Sequence, residues 1–362
     1  MRALSIALLL SGCAPTVAGS VLTTTPEPEP EPEVDSGGED GADGADGADG
    51  SDGEDTGTDI IDDLPGGVAA ALVSPPGATF VDRITVDLRS STGEGTVLAC
   101  IAPPSTTCTP GPVSDSLEIS VSGILHARVD IEGIPGEPSA WGFMQVDADV
   151  AAFATTLPVV LMTTSDRSVD LEGNTPVIFS VFEPDGGNTD LTVPTNAGRA
   201  RIRIRGSSSS GLDKKNFDLE LWKGETDTDR KVPLLGMPED ADWIMHAPSY
   251  YDDALIRNAL GYALSNDVGR YAPRTKFFEA FLTQGTGPTT MADYIGVYAM
   301  VEEIEQGSDR VDVAKLDADD TREPEVTGGY VFKRDRTGSG DTEIWAGRAG
   351  GADIDTALAG LR

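Results

Sequence analysis

The chain has 362 residues, with 61 Asp and Glu against 26 Lys and Arg and a formal net charge of −35. That length exceeds one ordinary small domain and implies two folded units plus tails. So acidic a chain argues against nucleic-acid binding, and 6% aromatics with 42 Gly and 24 Pro imply that part of it does not pack.

The N-terminus, MRALSIALLLSGCAP, has a basic start at Arg2 and an apolar run from Ala3 to Leu10, ending at Leu10-Ser11-Gly12-Cys13. The run is too short to span a bilayer and reads as an export signal. Cys after small residues at its end resembles the lipobox of bacterial lipoproteins. The resemblance implies that Cys13 is acylated and becomes the new N-terminus, a lipidation site, and that the protein is lipid-anchored in the bacterial cell envelope. Ala14 after the Cys favours the outer membrane or cell surface by the same analogy.

Residues 14–65 carry PEPEPEPE and then GADGADGADGSDGED, with 16 acidic and no basic side chains between Glu27 and Asp63. Pro-Glu repeats favour extended polyproline II and the like charges repel, so a disordered acidic linker is expected. The Gly triplets lack the proline of collagen and the spacing of a calcium-binding EF-hand loop.

In residues 66–150, TFVDRITVDL sets Ile84, Val86 and Leu88 against Arg83, Thr85 and Asp87, and SLEISVSGILHARVDIEG repeats the alternation. Turn signals at SPPG, STGEG and PGEPS separate the runs, which predicts a small antiparallel β-sandwich. The order of these runs resembles the chitobiase/β-hexosaminidase C-terminal-type domain, an Ig-like accessory module, with ACIAPPSTTC in place of its middle strand. Cys100 and Cys108 lie within that replacement. With Cys13 acylated, two cysteines remain in an exported chain, and a disulfide is the expected use of them. His126 reads as a strand residue with no catalytic role.

From residue 151 to 362 the pattern changes. LPVVLMTT and VIFSVF read as buried strands, RIRIR and NFDLEL as a hairpin around GSSSSG, and TKFFEAFL, YIGVYAMVEEI and GGYVFKRDR as further strands. Between them Leu255, Ile256, Ala259, Leu260, Ala263 and Leu264 repeat at three and four, predicting a helix capped by Asp252 or Asp253. The fold class is therefore α+β, a mostly antiparallel sheet with one prominent helix.

The hairpin admits two readings. Arg201, Arg203 and Arg205 share one strand face and can ladder with Asp218 and Glu220. Alternatively, glycines at both ends of a serine loop, with Lys214 and Lys215 behind it, can cover the phosphates of a ligand. The ordered series RGSSS…KKNFDLEL, MPEDADWIMHAPSYYDDALIRNALGYAL, GRYAPRTKFFEAFL, YIGVYAMVEEIE and TGGYVFKRD resembles the spore-coat protein H (CotH) kinase family. The resemblance implies an atypical protein-kinase-like fold that transfers phosphate from ATP, with Mg²⁺, to Ser or Thr of an envelope or secreted protein. Arg205, Gly206, Ser207 and Ser208 fall on the family's phosphate loop and Lys214 or Lys215 on its lysine. Asp253, Arg257 and Asn258 match its helix, Glu279 its strand glutamate, and Gly296, Tyr298 and Glu302 the segment leading to the adenine. The family's acidic Trp-Asp-x-Asp segment has no counterpart before Arg362, so the chain reads as C-terminally truncated, with its catalytic residues downstream. The competing reading is a non-catalytic surface lipoprotein, a kinase-like scaffold whose β-sandwich binds carbohydrate or protein.

Overall fold

Alternation along the first strands sets the architecture. In Ile84–Ser90 the side chains of Val86 and Leu88 are buried while Thr85, Asp87 and Arg89 face solvent. The computed structural model describes residues 69–165, 167–169, 173–206, 209–224, 226–249, 252–315, 322–324 and 329. Cys13, the acidic linker, Ser207, Ser208 and the expected strand GGYVFKRDR all fall wholly or mainly outside them.

Nine strands come first: β1 (Ala71–Ser74), β2 (Ala78–Phe80), β3 (Ile84–Ser90), β4 (Thr96–Ala102), β5 (Gly111–Pro112), β6 (Ser116–Ile119), β7 (Gly123–Ile131), β8 (Ile134–Pro135) and β9 (Ser139–Gln145). They form two sheets, β1-β3-β6 and β2-β9-β7-β4-β5 with β8 attached to β7. Val86, Leu88 and Ile119 of the first sheet meet Phe80, Leu125, Val129 and Phe143 of the second in one apolar core. Cys100 on β4 is bonded to Cys108, and His126 is buried on β7 opposite Cys100.

A short helix, α1 (Ala148–Ala151), capped by Asp147 Oδ1 on the Val150 amide at 2.8 Å, leads into the second part. Seven strands follow: β10 (Val159–Thr163), β11 (Thr175–Phe182), β12 (Asn196–Arg205), β13 (Asn216–Trp222), then, after the small hairpin β14 (Val232–Leu234) and β15 (Met237–Asp240), β16 (Asp242–His246), β17 (Thr275–Thr283) and β18 (Tyr294–Glu302). Sequence patterning predicts a mostly antiparallel sheet here, and six of the seven pairings are antiparallel. The sheet closes into a barrel, β10-β11-β12-β13-β16-β18-β17, sealed by a parallel pairing of β10 with β17. The physical reason lies in β10, whose five residues VVLMT are all buried. Val160 and Met162 point into the barrel core, while Val159 and Leu161 pack outward. A strand apolar on both faces must be covered on both.

The outer cover comes from the N-terminal sheets. Ile124, Met144, Val146 and Val150 join Val159, Leu161, Ile178 and Phe182 in a shared cluster. The backbones approach closely there: a Cβ on Gly142 would lie 2.8 Å from Ile178 Cγ2. The parts read from sequence as 66–150 and 151–362 thus share buried apolar surface.

The helix, α2 (Arg257–Asp267), departs from its sequence reading. Its apolar repeat predicts a buried stripe, yet it has no buried residue, and Leu255, Ile256, Leu260 and Leu264 are all about half exposed. Polar ties at its ends hold it instead. Asp252 Oδ2, not Asp253, accepts the Arg257 amide at 2.8 Å, and Asn266 clasps both the amide and the carbonyl of Ala272.

Candidate functional site

The register Arg201↔Glu220, Arg203↔Asp218, Arg205↔Asn216 turns the arginine strand into a ladder. Arg201 Nε reaches Glu220 Oε2 at 2.6 Å, Arg203 Nη2 reaches Asp218 Oδ2 at 2.8 Å and Arg205 Nε reaches Asp218 Oδ1 at 3.3 Å. Farther along, Arg199 lies over the Trp222 ring and bonds Asp227 at 2.6 Å. Most of the basic cluster is therefore neutralised within the hairpin, as the cross-strand reading expects. Arg205, last in the ladder, shares one carboxylate with Arg203 and stands at the loop.

The loop has its own constraints. Gly206 has φ +101°, and a Cβ there would fall 2.1 Å from Ser209 Oγ, so only glycine fits. A single 3₁₀ turn, Ser209–Gly211, follows, and Lys215 Nζ donates to the Ser210 carbonyl at 2.8 Å. Lys214 turns the other way. Its ammonium donates to the Val297 carbonyl and stacks 4.7 Å from the centroid of Tyr298, whose hydroxyl donates to the Lys215 carbonyl at 3.0 Å. Burial pushes the Lys214 ammonium below the ordinary lysine range, and Glu279 opposes that shift.

These residues open onto a cleft of about 540 Å³ at the barrel mouth, within the usual size of a small-molecule site. Val169, Ile204, Phe217, Leu282 and Ile295 supply apolar walls, and Lys214, Lys215, Asp213, Gln284 and Tyr298 the polar groups. An apolar slot with two cations at one edge can hold a ring system and an attached anion.

Of the residues expected here from sequence, Lys214 and Lys215 line the cleft, and Arg205 and Gly206 stand at its loop; Ser207 and Ser208 lie outside the described residues. Glu279 sits behind the cleft on β17, accepting hydrogen bonds from the Tyr294 hydroxyl and, at 3.3 Å, from Thr155 Oγ1. Glu302 is not among the lining residues. It is fully buried, bonded to the Arg274 amide at 2.8 Å and to Arg274 Nε at 2.7 Å, with Arg310 Nη1 at 3.7 Å. Its place is a structural ion-pair network, neither a solvated strand end nor an open ligand contact. Tyr298, which the resemblance places on the segment leading to the adenine, lines the cleft; Gln284 was not legible from patterning, because its position depends on where β17 ends relative to β13.

Magnesium does not fit the cleft as described: among the described lining residues Asp213 is the one carboxylate. Three carboxylates do gather elsewhere, Asp240, Asp242 and Glu305. Asp242 pairs with Glu220, at the end of β13 remote from the loop. Asp240 is ion-paired with Arg310 at 2.9 Å, and the Asp242 carboxyl is raised to about 7, by burial first and then by Glu220, Glu305, Glu303 and Asp229. That cluster sheds charge by holding a proton and an arginine.

A second, smaller cavity of about 250 Å³ lies where the N-terminal sheets meet the barrel, lined by Ile101, Pro103, Val121, Ser122, Thr163 and Ser165 among others, with no charged side chain among the described lining residues. The Ser165 backbone is left-handed, φ +65°, and its buried hydroxyl has no partner among the described residues.

Comparison with known proteins adds one finding. The family model described as CotH kinase protein matches residues 202–349, from the arginine strand onward, which supports a kinase-like domain in that part of the chain. A search of curated proteins returned no match.

Proposed function

We propose that residues 151–362, which include the stretch 202–349 matched by the family model, are a CotH-type kinase-like domain that binds ATP in the barrel-mouth cleft. The observation that carries the reading is the convergence of Lys214 and Lys215 on an apolar cleft, beneath a glycine-dependent loop, within the stretch matched by the CotH family model. The apolar walls take the base, and the two lysines with Arg205 take the phosphates. Tyr298 and the Val297 carbonyl hold the Lys214 ammonium in place, and the Lys215–Ser210 bond fixes the loop. Placing these donors before the ligand arrives lowers the ordering cost of binding.

The transfer of phosphate to Ser or Thr of an envelope or secreted protein is part of the same proposal, as are the lipid anchor at Cys13, the acidic spacer and an Ig-like accessory role for the two N-terminal sheets. The described cleft supplies one carboxylate, Asp213, too few to hold a divalent metal. The test is calorimetric titration with ATP. Lys214→Ala is expected to weaken binding by about tenfold or more, equivalent to at least ~1.4 kcal/mol, with an unchanged thermal transition. Wild-type protein that takes up no ATP sinks the reading.

A second reading, a non-catalytic surface lipoprotein that binds carbohydrate, is favoured by one observation. The cavity at the seam combines aliphatic walls with hydroxyls, including that of Ser165, which has no partner among the described residues. Oligosaccharide binding lost in Ser165→Val, with no ATP binding, would select it.

A further inference from the structure

His246 ends β16 near Arg205 and Lys214, and both of its ring nitrogens have neighbours. Asn216 Oδ1 accepts the Ala247 amide at 2.8 Å. A backbone N–H only donates, so the oxygen of Asn216 is fixed toward this corner. His246 Nδ1 lies 3.1 Å from the same oxygen and must therefore carry a proton. In the neutral ring Nε2 is then an acceptor, and Asn258 Nδ2, in the first turn of α2, lies 3.4 Å from it.

This small chain of contacts joins two elements that share little else. Helix α2 has no buried residue, and the ties at its N-terminal end include Asp252 at the Arg257 amide and guanidinium and Asn258 at the imidazole. Asn216 pairs with Arg205 across the hairpin and precedes by one residue the Phe217 wall of the cleft.

We propose that neutral His246 is a positioning residue that locks the N-terminus of α2 to the Arg205–Lys215 hairpin and releases it on protonation; the consequence for ligand binding rests on the ATP reading of the cleft. Three charged groups face the ring: Arg205 from β12, Lys214 from the loop and Asp252 from the segment leading into α2. Burial favours the neutral form most, then Arg205 and Lys214, against Asp252. Protonation would place an N–H on Nε2 against the Asn258 donor and add a third cation beside Arg205 and Lys214. The contact in its present form is broken, since Asn258 must turn its amide over to present Oδ1 to a ring that now stands with two other cations, while Asp252 keeps the Arg257 amide and guanidinium.

The experiment follows hydrogen exchange of residues 257–267, normalised to intrinsic exchange rates, together with ATP affinity, from pH 7.5 to 5.0 in the full chain. In the wild type, α2 exchange is expected to rise by about fivefold or more as pH falls, with ATP affinity weakening in step. In His246→Asn, which keeps the donor to Asn216 but does not titrate, α2 exchange should stay flat and affinity should follow only the ionisation of ATP itself. His246→Gln, which can place an acceptor near the Nε2 position, serves if the Asn variant does not fold. Flat wild-type exchange, or the same pH response in the variants, overturns the proposal. So does ATP affinity whose pH profile is identical in wild type and variant. If α2 exchange responds to pH in the wild type alone and ATP never binds, the latch stands and the ATP reading fails.

Discussion

Replacing Glu302 separates its structural role from a ligand role. The side chain is fully buried and bonds the Arg274 amide and guanidinium at 2.8 and 2.7 Å. Arg310, itself 5% exposed at the side chain, lies 3.7 Å from it and 2.9 Å from Asp240, with its guanidinium 5.1 Å from the Trp243 ring centroid. Glu302→Ala removes one of two counter-charges from a buried guanidinium and leaves the Arg274 amide without its acceptor. Breaking a buried pair in this way costs about 3–5 kcal/mol. Glu302→Gln keeps an acceptor for the amide and loses only the charge, so a smaller loss of about 1–3 kcal/mol is expected. Urea unfolding followed by tryptophan fluorescence measures both, since Trp243 sits under Arg310, and an unchanged slope keeps the midpoints comparable. ATP affinity of Glu302→Gln should match the wild type. A loss below about 1 kcal/mol for Glu302→Ala, or a loss of ATP binding with stability retained, would refute the assignment to the ion-pair network.

Asp242 gives a pH-dependent effect of opposite sign. Its folded value, about 7, lies above the unfolded 3.8, so the folded state holds a proton the unfolded chain has released. Stability falls as pH rises through that window. Asp242→Asn should therefore stabilise at pH 8, by on the order of 1–2 kcal/mol after discounting for solvent screening of a half-buried group, and have little effect near pH 3; equal effects at both pH values in thermal melts would contradict this. The Cys100–Cys108 bond closes a short loop, so the paired serine variant should lose about 2–3 kcal/mol by urea unfolding under non-reducing conditions. Leu264 on α2 is 55% exposed, and Leu264→Gln should change stability by less than about 0.5 kcal/mol; a loss of several kcal/mol would mean that the helix face is covered in solution.

Local patterning was informative where one residue's environment follows from its neighbours. The alternation of Ile84–Ser90 identified its buried face, and RIRIR before NFDLEL put Arg201, Arg203 and Arg205 on one face within reach of Asp218 and Glu220, because strand side chains alternate whatever else the chain does; which arginine meets which carboxylate was set by the register. The glycine of the RGSSS stretch was legible as a position of unusual backbone angles, and Gly206 has φ +101°. Helix α2 was found by its apolar spacing, but its environment was not. Periodicity states which residues share a face and is silent on what lies opposite that face.

The sequence by itself determined the strand faces, the charges available to ladder across the hairpin, the position of the helix and the loop that resembles a phosphate cover, all of which depend on patterning within one segment or one hairpin. Tertiary structure alone decided that β10 seals β17 into a barrel, that the N-terminal sheets complete the cover of β10 and β11, that Glu302 is given to Arg274 and Arg310, and that His246 meets both Asn216 and Asn258. Each of these joins groups from distant parts of the chain, and the free energy that selects them comes from burying whole surfaces and pairing buried charges at once. No local propensity encodes that choice, because it exists only when the partner strand is already in place.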